Sequence, residues 1–214
     1  MKIAIIGSGA LGSNIARALA SKGIAATIAN KSGPASMAKL VAELGPTITA
    51  GTIDEAARAD IVLVAVPWVA LGTLLSGLPA WNNRIVIDAT NPVLFLDPDS
   101  PDAKDPSNPL ATFGIKAIDL GGKYSSAVFR EMVPGARVVK AFNHLGAAVL
   151  TEPEVAGGRR TLFYSGDDAA AKGEVRKLLE TAGYFPVDLG SLDVGGPLME
   201  LPFGALAMNN FVKI

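Results

Sequence analysis

Residues 1–12, MKIAIIGSGALG, decide the fold. Lys2 to Ile6 is an apolar run too short for a helix and ended by Gly7, so it reads as a strand buried on both faces. A helix follows at once, because Leu11, Ile15, Ala18 and Leu19 recur at helical spacing until Gly23 stops it. Ala25 to Ala29 supplies a second strand and completes a βαβ unit. Glycines spaced Gly7-x-Gly9-x-x-Gly12 between such a strand and helix are what a dinucleotide pyrophosphate requires. The first permits the tight turn, the second lets main-chain amides approach the phosphates, and the third lets helix pack on strand. The helix N-terminus adds the positive end of its dipole. Gly7, Ser8, Gly9, Ala10, Leu11 and Gly12 are therefore the first candidate cofactor residues.

Working outward, Ser32 is expected to cap a second helix, with Pro34 in its first turn and Met37, Leu40, Val41 and Leu44 facing inward. Thr47 to Ala50, Ile61 to Val66, Arg84 to Ile87 and Ala136 to Phe142 read as further strands. Short helices are expected at Asp54 to Ala59 and after Pro67-Trp68. This alternation predicts an α/β chain with a Rossmann-type doubly wound parallel sheet. The link from Val93 to Gly135 is unusually long: its Pro/Asp/Ser-rich stretch, Asp97 to Pro109, reads as a functional or mobile loop, and Tyr124 to Met132 as its helix. Beyond Asn143, a strand at Thr161 to Tyr164, a helix opened by Asp167-Asp168 and a strand at Phe185 to Asp188 form one more βαβ unit. The expected organisation is thus an NADP(H)-type binding domain over residues 1–143 and a small C-terminal α/β extension over residues 144–214 on the acceptor side.

Composition narrows the function. The 214 residues carry a net charge of -1 with scattered cations, so no nucleic-acid track or anionic-membrane patch is expected. There is no cysteine, which removes disulfides, iron–sulfur ligation and thiolate nucleophiles together. No leader or membrane-span pattern is read, so a cytoplasmic protein with a small-molecule redox partner is expected. The apolar tail from Leu198 to Ile214 is a candidate homodimer surface.

The second strand ends at Asn30-Lys31-Ser32, where an NAD-binding chain would place a carboxylate against the ribose diol. A 2′-phosphate would be repelled by that carboxylate and is matched by Lys31, with Asn30 and Ser32 as hydrogen-bond donors, so the cofactor expected is NADP(H). Val66-Pro67-Trp68 and Thr90-Asn91 follow strands and reach the same carboxyl edge, where ligands of open α/β sheets bind. Trp68 can be a wall for an aromatic ring or simple packing. Asn143 and His144 follow the sixth strand as orienting candidates, although a lone histidine is more often structural. Asp167-Asp168 reads as a helix cap, and no metal cluster or nucleophile–base set can be assembled.

Together the segments IAIIGSGALG, ANKSGP, VAVPW, DATNP, VVKAFN, PVDLGSL and GGPLME resemble the NADPH-dependent deazaflavin (coenzyme F-420) reductases over nearly the whole chain. The chain is similar also to the cytoplasmic domains of STEAP-type metalloreductases. The resemblance implies hydride transfer between a nicotinamide and a deazaflavin, or a flavin such as FMN, stacked face to face, with both cofactors bringing the chemistry and no catalytic side chain required. It implies that Gly7 to Leu11, Asn30, Lys31, Ser32, Pro67 and Trp68 hold NADP(H). It also implies that Asn143, Leu145 and the segment Gly195, Gly196, Pro197 and Leu198 border the acceptor. Two other readings stay open: an NADP-dependent dehydrogenase of a small carbonyl or imine, in which Lys140 would be the catalytic lysine, and a module that senses NADPH without turning it over.

The charge reading at the end of the second strand is tested directly. Lys31→Asp is expected to weaken NADPH binding by about tenfold to a hundredfold, the worth of a charged hydrogen bond, and to narrow the gap to NADH. Equal affinities of the unmutated protein for NADH and NADPH, measured by titration, would remove the assignment.

Overall fold

Every residue of β1 (Ile3–Ile6) is buried, as an unbroken apolar run demands. The computed structural model describes residues 1–214. After β1 come α1 (Ala10–Ser21), β2 (Ala26–Ala29), α2 (Ala38–Leu44), β3 (Ile48–Gly51), α3 (Ile53–Ala56), β4 (Ile61–Val64), α4 (Leu71–Ser76) and β5 (Ile85–Asp88). The second half holds β6 (Val93–Phe95), β7 (Ile115–Ala117), α5 (Ser125–Met132), β8 (Arg137–Ala141), β9 (Glu154–Val155), β10 (Gly158–Gly166), α6 (Ala169–Thr181), β11 (Phe185–Asp188), α7 (Leu192–Met199) and β12 (Val212–Lys213).

The main sheet runs β11-β10-β8-β5-β4-β1-β2-β3. From β3 across to β8 all pairs are parallel, which is the doubly wound arrangement, with the order reversing between β1 and β4. β10 and β11 pair parallel with each other, as the C-terminal βαβ reading expects, but β10 joins β8 antiparallel. The boundary expected at residue 143 therefore falls inside one continuous sheet. The period-two alternation of the strands sorts side chains into two cores. Ile5, Ile28, Leu63, Ile87 and Val139 pack under α1 and α6, while Ile6, Ala29, Val64, Val86 and Val138 pack under the other helical layer.

Local chemistry explains the ends of α1. Gly9 is its N-cap, with no side chain capping it, so its first amides stay available. At the far end Gly23 adopts φ +68°, and the Ile24 and Gly23 amides donate to Leu19 and Ala20 carbonyls at 2.9 and 3.0 Å, a Schellman closure. Two expectations need correction. Ser32 does not cap the second helix: Gly33, at φ 82°, caps a 3-10 turn at Pro34–Met37, and α2 starts only at Ala38. The stretch 97–109 is not a free loop but the connection of an antiparallel ribbon, since β6 and β7 pair with each other. Ser100 caps a 3-10 turn in it and the Asp97 and Asp105 carboxylates accept main-chain N–H groups, so its Asp and Ser residues serve turn geometry.

The glycine spacing is enforced by contact. A methyl group at Gly12 would lie 1.9 Å from the Gly7 carbonyl oxygen, and one at Gly7 would lie 2.1 Å from the Ala65 carbonyl oxygen. Gly12→Ala is expected to lower stability by about 3 kcal/mol in urea denaturation, because backbone must move to admit the methyl. A loss under about 0.5 kcal/mol would show that helix and turn are not in the contact described.

Candidate functional site

The carboxyl ends of β1, β4, β5 and β8 open into one cleft of about 470 Å³, at the point where strand order reverses. Gly9, Ala10 and Leu11 form its floor at the N-terminus of α1. Nothing lies within 4 Å of where a Cβ at Gly9 would sit, so the loop presents bare main chain to the open side. Behind it, the Ser8 hydroxyl accepts from Asn30 Nδ2 at 2.8 Å, tying the glycine loop to the end of β2. Asn30 Oδ1 in turn accepts from the Ser32 amide at 2.9 Å and the Ser36 hydroxyl at 3.1 Å. Asn30 is thus a brace, with one of its two amide N–H groups committed to Ser8 and the other left to donate. Lys31 and Ser32 are exposed beside it, and Lys31 engages no acidic neighbour.

Val66, Pro67 and Trp68 from the end of β4, and Thr90 and Asn91 from the end of β5, all line the cleft. Trp68 belongs to one hydrophobic core and also lines the cleft. Thr90 is held by Asp88, which accepts from its amide at 2.9 Å and its hydroxyl at 2.6 Å. The other Asp88 oxygen meets Lys140 Nζ at 2.8 Å, and Lys140 also donates to the Thr90 carbonyl at 3.0 Å. Both charged side chains are completely buried. Lys140 therefore props the cleft wall from beneath and does not line it.

Asn143 and Leu145 reach the cleft from the end of β8. Phe142, between them and the strand, has φ 68°, a left-handed conformation that turns the chain sharply out of the sheet. Asn143 donates to Asn91 Oδ1 at 3.0 Å and to the Met199 carbonyl at 2.9 Å, while Asn91 donates back to the Asn143 carbonyl at 2.7 Å. Its own Oδ1 is buried and has no partner, which leaves one acceptor for a ligand N–H.

Other expected residues lie elsewhere. His144 does not line the cleft: it is fully buried against Phe163, with ring centroids 4.9 Å apart, and neither nitrogen has a hydrogen-bond partner. Burial pushes its pKa down to about 4, an effect that the nearby Thr161 main chain only partly offsets. Gly195, Gly196, Pro197 and Leu198 do not line the cleft either. They lie in α7, where a methyl at Gly195 would strike Ser165 at 2.6 Å and one at Gly196 would strike Ser126 at 2.7 Å, so these glycines serve close packing. The tail reaches the cleft further on, through Leu201 and Met208. Phe95 and Ile115 of the ribbon complete the wall. Their pairing across the nineteen residues between them leaves no sequence signal.

The glycine loop, the unpaired cation after β2 and the apolar cleft at the sheet's switch point define a dinucleotide-binding protein of the Rossmann class. Residues 2–92 match the family described as NADP oxidoreductase, coenzyme F420-dependent. Over its whole length the chain is 37% identical to a hypothetical protein from Sinorhizobium meliloti, covering 97% of that chain with a TM-score of 0.86. It is 27% identical to a protein from Arthrobacter sp. FB24 assigned as an F420-dependent NADP reductase, over 90% of this chain and 86% of that one, with a TM-score of 0.66. It is also 25% identical, over 207 residues, to the metalloreductase STEAP3 of Rattus norvegicus, and spans 37% of that protein's length while 96% of this chain is covered. Over residues 2–92 the chain is thus similar to the coenzyme F420-dependent NADP oxidoreductase family. No helix is long and apolar enough to cross a membrane.

Buried His144 makes stability pH-dependent with a definite sign. Its folded pKa of about 4 lies below the ordinary 6.5, so the unfolded chain binds the extra proton between these values. Stability from this residue is complete above pH 6.5 and is lost as pH falls towards 4, by at most about 3 kcal/mol. Denaturation curves of His144→Phe should show a flatter pH dependence in that window. An unchanged slope would mean that the imidazole is reached by water.

Proposed function

We propose that the protein transfers a hydride between NADP(H) and the ring of a deazaflavin or flavin-like acceptor. The observation that carries this reading is the single cleft itself. It runs without interruption from the α1 N-terminus to Asn143, Leu145, Leu201 and Met208, and no side chain lining it is ionisable. The residues present fit NADP(H): bare main chain at Gly9, an unpaired Lys31 and a free buried acceptor on Asn143.

The nicotinamide, when bound, supplies the hydride, and the chain supplies position and dryness. Amides at the start of α1 would hold the pyrophosphate, and Lys31 the 2′-phosphate. Asn143, fixed through Asn91 and Met199, would accept from the carboxamide. Trp68, Phe142 and Leu145 would exclude water from the ring.

A small carbonyl or imine as acceptor is the weaker reading. Such a substrate needs a proton delivered as the hydride arrives, and the side chains able to supply one are withdrawn: Lys140 is committed to Asp88 and Thr90, and His144 is buried away from the cleft. A conjugated ring spreads the arriving charge and makes no such demand.

The deciding experiment is anaerobic mixing of NADPH with a panel of deazaflavin, FMN, riboflavin and quinones, following the nicotinamide absorbance band. Oxidation of NADPH with at least one ring acceptor is expected. NADPH bound but consumed by none of them would leave a sensing module instead.

A further inference from the structure

No residue beyond Met199 joins either hydrophobic core, yet two of them, Leu201 and Met208, line the cleft. The segment that carries them, residues 200–208, is a strap held by polar ties at both ends. Before it, the Met199 carbonyl accepts from Asn143 at 2.9 Å, the Glu200 carboxylate accepts from the Ser125 amide at 3.0 Å, and the Leu201 amide donates to Asn91 Oδ1 at 2.9 Å. After it, the Met208 amide donates to the His144 carbonyl at 2.7 Å, and the Phe211 carbonyl accepts from the Thr161 amide at 2.9 Å. Val212 and Lys213 then form β12 against Arg160 and Arg159. Met208 is 57% exposed, although its Cε lies 3.7 Å from the place of a Cβ on Gly146, so it stands at the cleft mouth and not in packed interior.

Arg160 is the anomaly beside this tail. It is 3% exposed, and no ion pair of the chain includes it. Its Nε donates to the Glu152 carbonyl at 2.9 Å and its Nη1 to Asn210 Oδ1, both of them neutral acceptors. A cation buried without a carboxylate carries a desolvation cost that an apolar side chain of similar volume avoids, so its place is explained by what it holds. It holds Asn210, two residues past Met208. We propose that Arg160, outside the cleft, is a positioning residue for the acceptor: by gripping Asn210 it fixes the strap, and with it the Leu201 and Met208 side chains that bear on the acceptor ring. This rests on the hydride-transfer reading above and adds to it what sets the hold on the acceptor. No hydrogen bond joins residues 200–214 to the glycine loop or to Asn30, Lys31 and Ser32, so the end of the cleft proposed for the cofactor phosphates does not depend on the strap.

The test uses the full chain with Arg160→Met, Arg160→Lys and Asn210→Ala. Hydrogen exchange is read at the Leu201 and Met208 amides, and steady-state kinetics are run with NADPH and whichever ring of the anaerobic panel is reduced fastest. In Arg160→Met both amides are expected to exchange at least about tenfold faster, while those of β1, β4 and β5 stay within about twofold. The KM for the acceptor is expected to rise by about fivefold or more, with the KM for NADPH within about twofold. Asn210→Ala, at an exposed position, should reproduce both changes without endangering the fold. Arg160→Lys, which keeps the cation and a donor, should recover part of them. Unmoved exchange in both Arg160→Met and Asn210→Ala, or the two KM values rising together, would overturn the proposal. Exchange that responds as expected in a chain that oxidises NADPH with no ring would sink the hydride-transfer reading alone, and the latch on the strap would stand.

Discussion

The Lys140 ammonium and the Asp88 carboxylate, 2.8 Å apart and wholly removed from water, hold the ligand edge of the sheet together. Desolvating two charges costs several kcal/mol per ion, so the pair adds little net stability to the fold. Its worth is positional. Asp88 uses one oxygen for Lys140 and the other for the Thr90 amide and hydroxyl, while Lys140 also takes the Thr90 carbonyl. Three hydrogen bonds in a dry pocket leave Thr90 one arrangement, and removing either ion would strand the other at about 3 to 5 kcal/mol. Asn91, the next residue, inherits that fixity and passes it on: it binds Asn143 from β8 and the Leu201 amide from the C-terminal segment. The ends of β5 and β8 and the tail are thereby locked to one another around the cleft.

Much of the fold was legible in residues 1–92, because there every contact that matters is local or carried by a strong period. Gly7 and Gly12 do what their spacing implies, forced by main-chain contacts of 2.1 and 1.9 Å, while Gly9 faces open space. The strands were found because burial on both faces leaves an unbroken apolar run. Ser32 misled for a physical reason. The Gly33-Pro34 pair following it sets φ 82° and then a fixed φ, so the capping position shifted one residue on and the helix began as a 3-10 turn.

The cleft was legible where it follows strand ends and illegible where it is built by distant pairing. Val66 to Trp68, Thr90, Asn91, Asn143 and Leu145 could be placed because the carboxyl edge of an α/β sheet is a general ligand site. Phe95 and Ile115 could not, since an antiparallel pair separated by a turn-rich excursion has no period to read. Gly195 and Gly196 looked like a second ligand loop, yet a pair of glycines marks any close approach, and here it is helix α7 against Ser126 and Ser165. Lys140 looked like a candidate base because only its partner Asp88, 52 residues away, shows it to be neutralised.

The bend at Phe142 shows how this cleft obtains precision without charged groups. A phenylalanine at φ 68° is strained, a condition that costs on the order of 1 to 3 kcal/mol and persists only where the surroundings hold it. The restraint is visible: the Phe142 ring is buried with its edge towards Tyr184, centroids 6.0 Å apart, and Asn143 immediately after is tied to Asn91 and Met199. Relaxing the bend would rotate Asn143 away from the cleft and break both ties, so the strain and the hydrogen bonds sustain each other. If the cleft holds two flat rings as proposed, rate depends on keeping them in register. Rigid apolar walls set by a strained turn and a buried ion pair meet that demand, and they do so without placing beside the rings a charge that would select for an oppositely charged partner.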